Sequence, residues 1–154
     1  MANAEARFVA AKKHLMAHPT TNENKIAAIG YCFGGGVVLE MIRRGVNLEA
    51  AVSFHGSLAT QSPAQPGGVT AKVLVCHGGS DPFVKPNEVT AFKNEMKNAG
   101  VDLTFNTYAN AKHSFTNPDA DRLGKEFNLP LEYNAEADAK SWQDMKGFLQ
   151  RTLK

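Results

Sequence analysis

Cys32, Asp81 and His113 are the residue types that together perform nucleophilic acyl transfer: a thiol attacks, an imidazole moves its proton, and a carboxylate orients the imidazole. Cys32 stands in Gly30-Tyr31-Cys32-Phe33-Gly34-Gly35. The short apolar run Lys25-Ile26-Ala27-Ala28-Ile29 precedes it, and an apolar stretch with Val37, Val38, Leu39, Met41 and Ile42 follows, ending at Gly45. A buried strand, a sharp glycine-rich turn and a helix make the layout G-x-S-x-G, with cysteine in place of serine. Such a turn lifts a nucleophile clear of the sheet. Gly30 and Gly34 keep side chains out of its way. The helix that follows aims its N-terminus at the sulfur and favours negative charge there. The competing use of such a turn is a phosphate cradle, but neither G-x-G-x-x-G nor G-x-x-x-x-G-K-[ST] fits, and no lysine follows closely. A small buried hydrophobe is the other alternative for a lone cysteine.

Asp81 and His113 stand in comparable places. Val73-Leu74-Val75-Cys76-His77 forms a strand, and Gly78-Gly79-Ser80-Asp81-Pro82 follows it. Val101 to Tyr108 forms another, followed by Ala109 to His113. The C-terminal edge of a parallel sheet is where ligands bind, so three reactive residues at three strand ends point to one site. In this arrangement His113 takes the thiol proton, Asp81 holds the tautomer, and the Phe33 N–H is an oxyanion donor. His55 and His77, each at a strand end, compete for the role of base. Cys76 is most simply a core residue.

The remaining chain supplies the elements that position these groups. Residues 4 to 18 form a helix with Phe8, Val9, Ala11, Leu15 and Met16 on one face. Ala50-Ala51-Val52-Ser53-Phe54-His55 is a buried strand, and a loop rich in Pro, Gly, Ser and Gln runs from it to Thr70. A helix opens at Pro86 or Asn87, with Val89, Phe92 and Met96 inward, and ends at Gly100. Residues 116 to 134 show two prolines and little periodicity and are expected to be an irregular excursion. A last helix runs from Ala135 to Leu153, capped by Asn134, with Trp142, Met145, Leu149 and Leu153 inward. Strand–helix alternation predicts an α/β fold, a mainly parallel sheet of about four strands with helices on its faces, in a single domain over residues 1–154.

The bulk properties exclude several classes. The 154 residues carry a formal charge of +2, with basic and acidic residues interspersed, so nothing argues for a nucleic-acid partner. No apolar run reaches membrane-spanning length. No signal-peptide pattern opens the chain, and two cysteines make no disulfide framework, which predicts a cytoplasmic protein with a free thiol at Cys32. His14 and His18 share a helical spacing, but no third ligand lies near them, so no metal site is expected.

The sequence resembles the dienelactone hydrolase family along nearly its whole length. The resemblance rests on the G-x-C-x-G-G elbow at Gly30 to Gly35, on Phe54-His55-Gly56 and on His77 to Pro82. It continues through Tyr108, His113-Ser114-Phe115, and Tyr133-Asn134 leading to Ala137, Asp138 and Trp142. It implies hydrolysis of a small ester or lactone, as in a carboxymethylenebutenolidase, through a thioester on Cys32 and without a cofactor. Tyr31, Phe115 and Asn117, which flank the nucleophile and the base, are the expected substrate contacts. Family members have further strands before the elbow strand. The resemblance therefore predicts the C-terminal part of an α/β-hydrolase fold, N-terminally incomplete, lacking a second oxyanion donor and a glutamate beside the cysteine. It predicts an open apolar sheet edge through which copies associate, and weak activity for this chain alone. Dienelactone-cleaving members carry an arginine where Asn117 stands, and an amide cannot form the bidentate pair with a substrate carboxylate. The alternatives are a non-catalytic relative kept for assembly and, lacking a nearby resolving cysteine, a redox thiol.

Overall fold

A computed structural model describes residues 2–154. The elements run α1 (Ala2–Met16), β1 (Ala27–Tyr31), α2 (Phe33–Arg43), β2 (Ala50–Phe54), β3 (Lys72–Gly78), α3 (Pro86–Asn98), β4 (Leu103–Tyr108), α4 (Ala120–Phe127) and α5 (Ala135–Thr152). The four strands form one sheet in the order β1-β2-β3-β4, every pair parallel. The α/β architecture expected from the sequence is the one found. Because all strands run the same way, all four C-terminal ends lie along one edge.

The period of two along each strand divides the core into two layers. Ala51, Val73 and Val75 face Val38, Leu39 and Ile42 of α2 and Phe92 and Met96 of α3. Ala50, Val52, Phe54, Leu74 and Cys76 face Ala137, Met145 and Phe148 of α5. The continuous apolar character of β2 and β3 follows from this coverage on both faces. Helix α1 lies on the outside of α2, with the Arg44 guanidinium 3.1 Å from Glu5, and it ends two residues earlier than expected.

Three local expectations are corrected. Helix α4 falls in the excursion expected to be irregular for its little periodicity. Its inward positions are Ala120 and Gly124, too small to produce an apolar signal. In α5 the inward set is Ala137, Ser141, Met145 and Phe148, so Trp142 points outward and is 48% exposed. In α1, Val9, Leu15 and Met16 are exposed and Phe8 alone of that face packs against the core. The Asn134 cap is as expected, its side-chain oxygen accepting from the Ala137 N–H at 3.0 Å.

The crossover from β2 to β3, residues 55–71, contains no helix, and a buried ion pair pins it. Arg43 donates to both carboxylate oxygens of Glu95, at 2.8 and 2.9 Å, and to the Leu58 carbonyl at 2.8 Å. Glu95 also accepts from the Ala64 N–H, and Thr60 donates to Glu40 beside it. Burial raises the Glu95 carboxyl, but these hydrogen bonds and the Arg43 charge outweigh it and hold it below its ordinary value. Removing one partner leaves the other charged and buried, which costs about 3 kcal/mol, whereas an exposed pair contributes under ~1 kcal/mol. Glu95→Ala should therefore lower the urea unfolding free energy several times more than Glu126→Ala, which breaks the exposed pair with Arg122. Equal losses in the two variants would show that the crossover does not depend on Arg43.

Candidate functional site

The turn after β1 delivers Cys32 in an unusual backbone conformation. Its φ is 52° and its ψ −120°, and α2 begins at the next residue. Gly30 makes room for this. A Cβ there would lie 2.1 Å from the Gly34 carbonyl oxygen, so no other residue fits under the turn. The Cys32 N–H donates to the Phe54 carbonyl at 3.0 Å and to His55 Nδ1 at 3.2 Å. The thiol is exposed at the tip. The N–H of Phe33, first residue of α2, is one of the donors a helix leaves without an intrahelical acceptor, as an oxyanion donor requires.

Asp81 and His113 are registered by contacts between their loops. The Gly79 and Ser80 N–H groups donate to the carbonyls of Tyr108 and Ala111 at 2.8 and 3.0 Å. Gly78 permits this approach, since a Cβ there would lie 2.6 Å from the Ala111 oxygen. His113 Nδ1 then lies 2.8 Å from Asp81 Oδ2 and its Nε2 lies 3.1 Å from Cys32 Sγ. The other Asp81 oxygen accepts from the Phe83 N–H at 2.9 Å, and the Phe83 ring packs edge-on against His113. Beside a carboxylate the consistent tautomer has Nδ1–H donating to Asp81 and Nε2 accepting from the thiol. Burial pulls the His113 pKa down, but the hydrogen bonds to Asp81 and Cys32 outweigh it and hold it above the ordinary value.

His55 is the residue the sequence did not resolve. As a competing base it would have to point at the sulfur. Instead its Nδ1 accepts from the Cys32 backbone, and its Nε2 sits 2.9 Å from Thr116 Oγ1. An acceptor at Nδ1 fixes the proton on Nε2, so His55 is a neutral donor to Thr116. Its φ is 38°, its ring lies 5.2 Å from those of both His113 and Phe115, and burial pushes its pKa down to about 4. His77 is buried on the other layer, 5.6 Å from Phe105. Of the expected substrate contacts, Tyr31 and Asn117 line an open cleft of about 510 Å³ beside Cys32. Phe115 does not: it is fully buried in the core, where it backs His55 and Tyr108, and this corrects its assignment as a substrate contact. Asp138 and Trp142 of α5 also line the cleft. The sequence resemblance contained both residues but gave neither a role.

The profile of the Dienelactone hydrolase family matches residues 1–153. The chain belongs to that family. A dienelactone hydrolase-like promiscuous phosphotriesterase from metagenomic libraries is 38% identical, with a TM-score of 0.90, covering 99% of this chain and 63% of that structure. An uncharacterized protein of Caenorhabditis elegans is 32% identical over 96% of this chain and 92% of its own length. A Saccharolobus solfataricus protein provisionally named a carboxymethylenebutenolidase is 29% identical over 84% of this chain and 46% of its own. The chain thus spans nearly all of the nematode relative, under two thirds of the crystallised one and less than half of the archaeal one.

The family site contains a titration that is open to measurement. A histidine held neutral to about pH 4 in the fold but titrating near its ordinary value of ~6.5 when unfolded makes the unfolded chain bind more protons in between. His55 therefore contributes stability that is intact above pH ~6.5 and declines as pH falls toward 4, by about 3 kcal/mol in all. His113, shifted the other way, contributes stability that is full below pH ~6.5 and fades as pH rises through its folded pKa. Denaturant unfolding of the parent and His55→Asn at stepped pH should show a steeper decline between pH ~6.5 and 4 in the parent, His77 and Glu95 supplying the part common to both. Parallel pH curves would mean that His55 is not held neutral.

Proposed function

We propose that this chain hydrolyses small carboxylic esters or lactones by acyl transfer through Cys32. One observation carries the reading: an unbroken line of contacts from Asp81 Oδ2 through the His113 ring to Cys32 Sγ, at 2.8 and 3.1 Å. In the first step His113 Nε2 accepts the thiol proton as Sγ attacks the carbonyl carbon. The developing oxyanion is met by the Phe33 N–H. The tetrahedral intermediate expels the alkoxide, which takes the proton back from Nε2, and a thioester on Cys32 remains. Water, deprotonated by the same Nε2, then attacks the thioester; the acid leaves and the thiol regains its proton. Asp81 steadies the imidazolium throughout and is not itself protonated.

Asn117 lines the cleft where dienelactone-cleaving members carry an arginine, so the substrate class is esters and lactones without a carboxylate to be clamped. The 38% identity to a promiscuous phosphotriesterase supports a second electrophile, phosphotriesters, on which the same thiolate would displace an aryloxide from phosphorus.

Exposure to p-nitrophenyl acetate should release p-nitrophenolate in a burst, with an acetyl group located on Cys32 by intact mass and peptide mapping. Cys32→Ala should show neither, and His113→Ala should acylate about a hundredfold or more slowly, the usual worth of a positioned base. Acylation elsewhere in the chain, or acylation of Cys32 that does not depend on His113, would overturn the reading.

A further inference from the structure

The cleft beside Cys32 has a charge character opposite to that of an arginine-clamped site. Tyr31 from β1 and Trp142 from α5 bring aromatic surface to it, 41% and 48% exposed. Tyr31 is fixed by stacking on Phe54, ring centroids 4.5 Å apart and 8° from parallel. Asp138 stands one helical turn before Trp142, so the two share a face of α5. Asp138 brings the one carboxylate that lines the cleft, and neither Lys nor Arg lines it among the described residues. Tyr133 donates to its Oδ2 at 3.1 Å, and Oδ1 has no hydrogen-bond partner among the described residues. Burial and then the Asp138 charge both push the Tyr31 hydroxyl above its ordinary pKa, so the carboxylate's field reaches across the cleft.

A cleft lined by one carboxylate and two exposed aromatic side chains is the kind of surroundings that an ammonium group prefers. We propose that the cleft takes esters whose acyl chain carries a cationic ammonium group, with Asp138, Trp142 and Tyr31 as its determinants, and that it turns away acyl chains ending in a carboxylate. This rests on the reading of Cys32 as the acylated nucleophile and gives that site its substrate class.

Three p-nitrophenyl esters of matched size test it: 4-trimethylammoniobutyrate, its neutral isostere 5,5-dimethylhexanoate, and the glutarate monoester. The expected order of kcat/KM is cationic, neutral, anionic, with the cationic ester about fivefold above the neutral one at low salt. About 0.5 M salt should shrink the spread, since the cleft is open to solvent. Asp138→Asn should bring the cationic-to-neutral ratio to about one, and Asp138→Glu should keep it above one. A second readout needs no turnover. Trp142 is the only tryptophan, so its fluorescence reports on the cleft. Choline should change that emission at lower concentration than its neutral isostere 3,3-dimethylbutanol, and Asp138→Asn should remove the difference. A preference for the neutral or anionic ester, or a ratio unmoved by Asp138→Asn, overturns the inference. If none of the esters acylates Cys32, the hydrolase reading fails instead, and the choline titration alone decides the cation site: an Asp138-dependent difference upholds it, and its absence removes it.

Discussion

The backbone of Cys32 at φ 52° is the constraint on which the rest of this structure depends. A non-glycine residue in such a conformation costs on the order of 1–3 kcal/mol, so it persists only where its surroundings over-determine it. Here Gly30 clears the space below, α2 fixes the outgoing chain, and the N–H is shared between the Phe54 carbonyl and His55. The reward for that strain is geometric. The sulfur projects from the sheet edge to within 3.1 Å of an imidazole whose own position is set 81 residues later in the chain.

Two histidines 5.2 Å apart meet opposite requirements. In the proposed reaction His113 accepts a proton, and a second positive charge on a neighbouring ring would oppose it. His55 avoids this by being buried and by spending Nδ1 as an acceptor, which leaves its ring neutral. The carboxylate of Asp81 goes to His113 alone, with its second oxygen tied to the Phe83 N–H. One imidazole therefore carries charge and the other carries geometry, although both stand at strand ends in the sequence.

Much of this was legible from residue types. The glycine spacing around Cys32 exposed the turn, three apolar runs and the alternation of Val101 to Tyr108 marked the four strands, and the order thiol, carboxylate, imidazole at successive strand ends pointed to one site. What escaped was orientation. The letters Phe54-His55-Gly56 do not say which way an imidazole at φ 38° faces, so His55 read as a rival base. Phe115 adjoins the base in sequence, but its side chain turns into the core rather than toward the cleft. Trp142 lies one position away from Ser141, which is buried; a small polar residue on the inner face and a large aromatic one beside it invert the usual hydrophobic signal. Helix α4 was silent for a related reason, because Ala120 and Gly124 make contact by being small.

The strand that carries the thiol lies at an edge of the sheet. Among the described residues β1 is bonded to β2 alone and β4 to β3 alone, whereas β2 and β3 are each held on both sides. Segments with fewer neighbours open at lower free energy than the body of a domain. Cys32 and His113 thus follow the two opposite margins of the sheet, β1 and β4, while Asp81 follows β3 between them. Loosening of five residues, Ala27–Tyr31, is enough to part the sulfur from the imidazole with the remaining three strands still paired. Function and fold are then separately fragile, and a preparation with a fully native far-ultraviolet spectrum can already hold molecules in which the reacting pair has come apart.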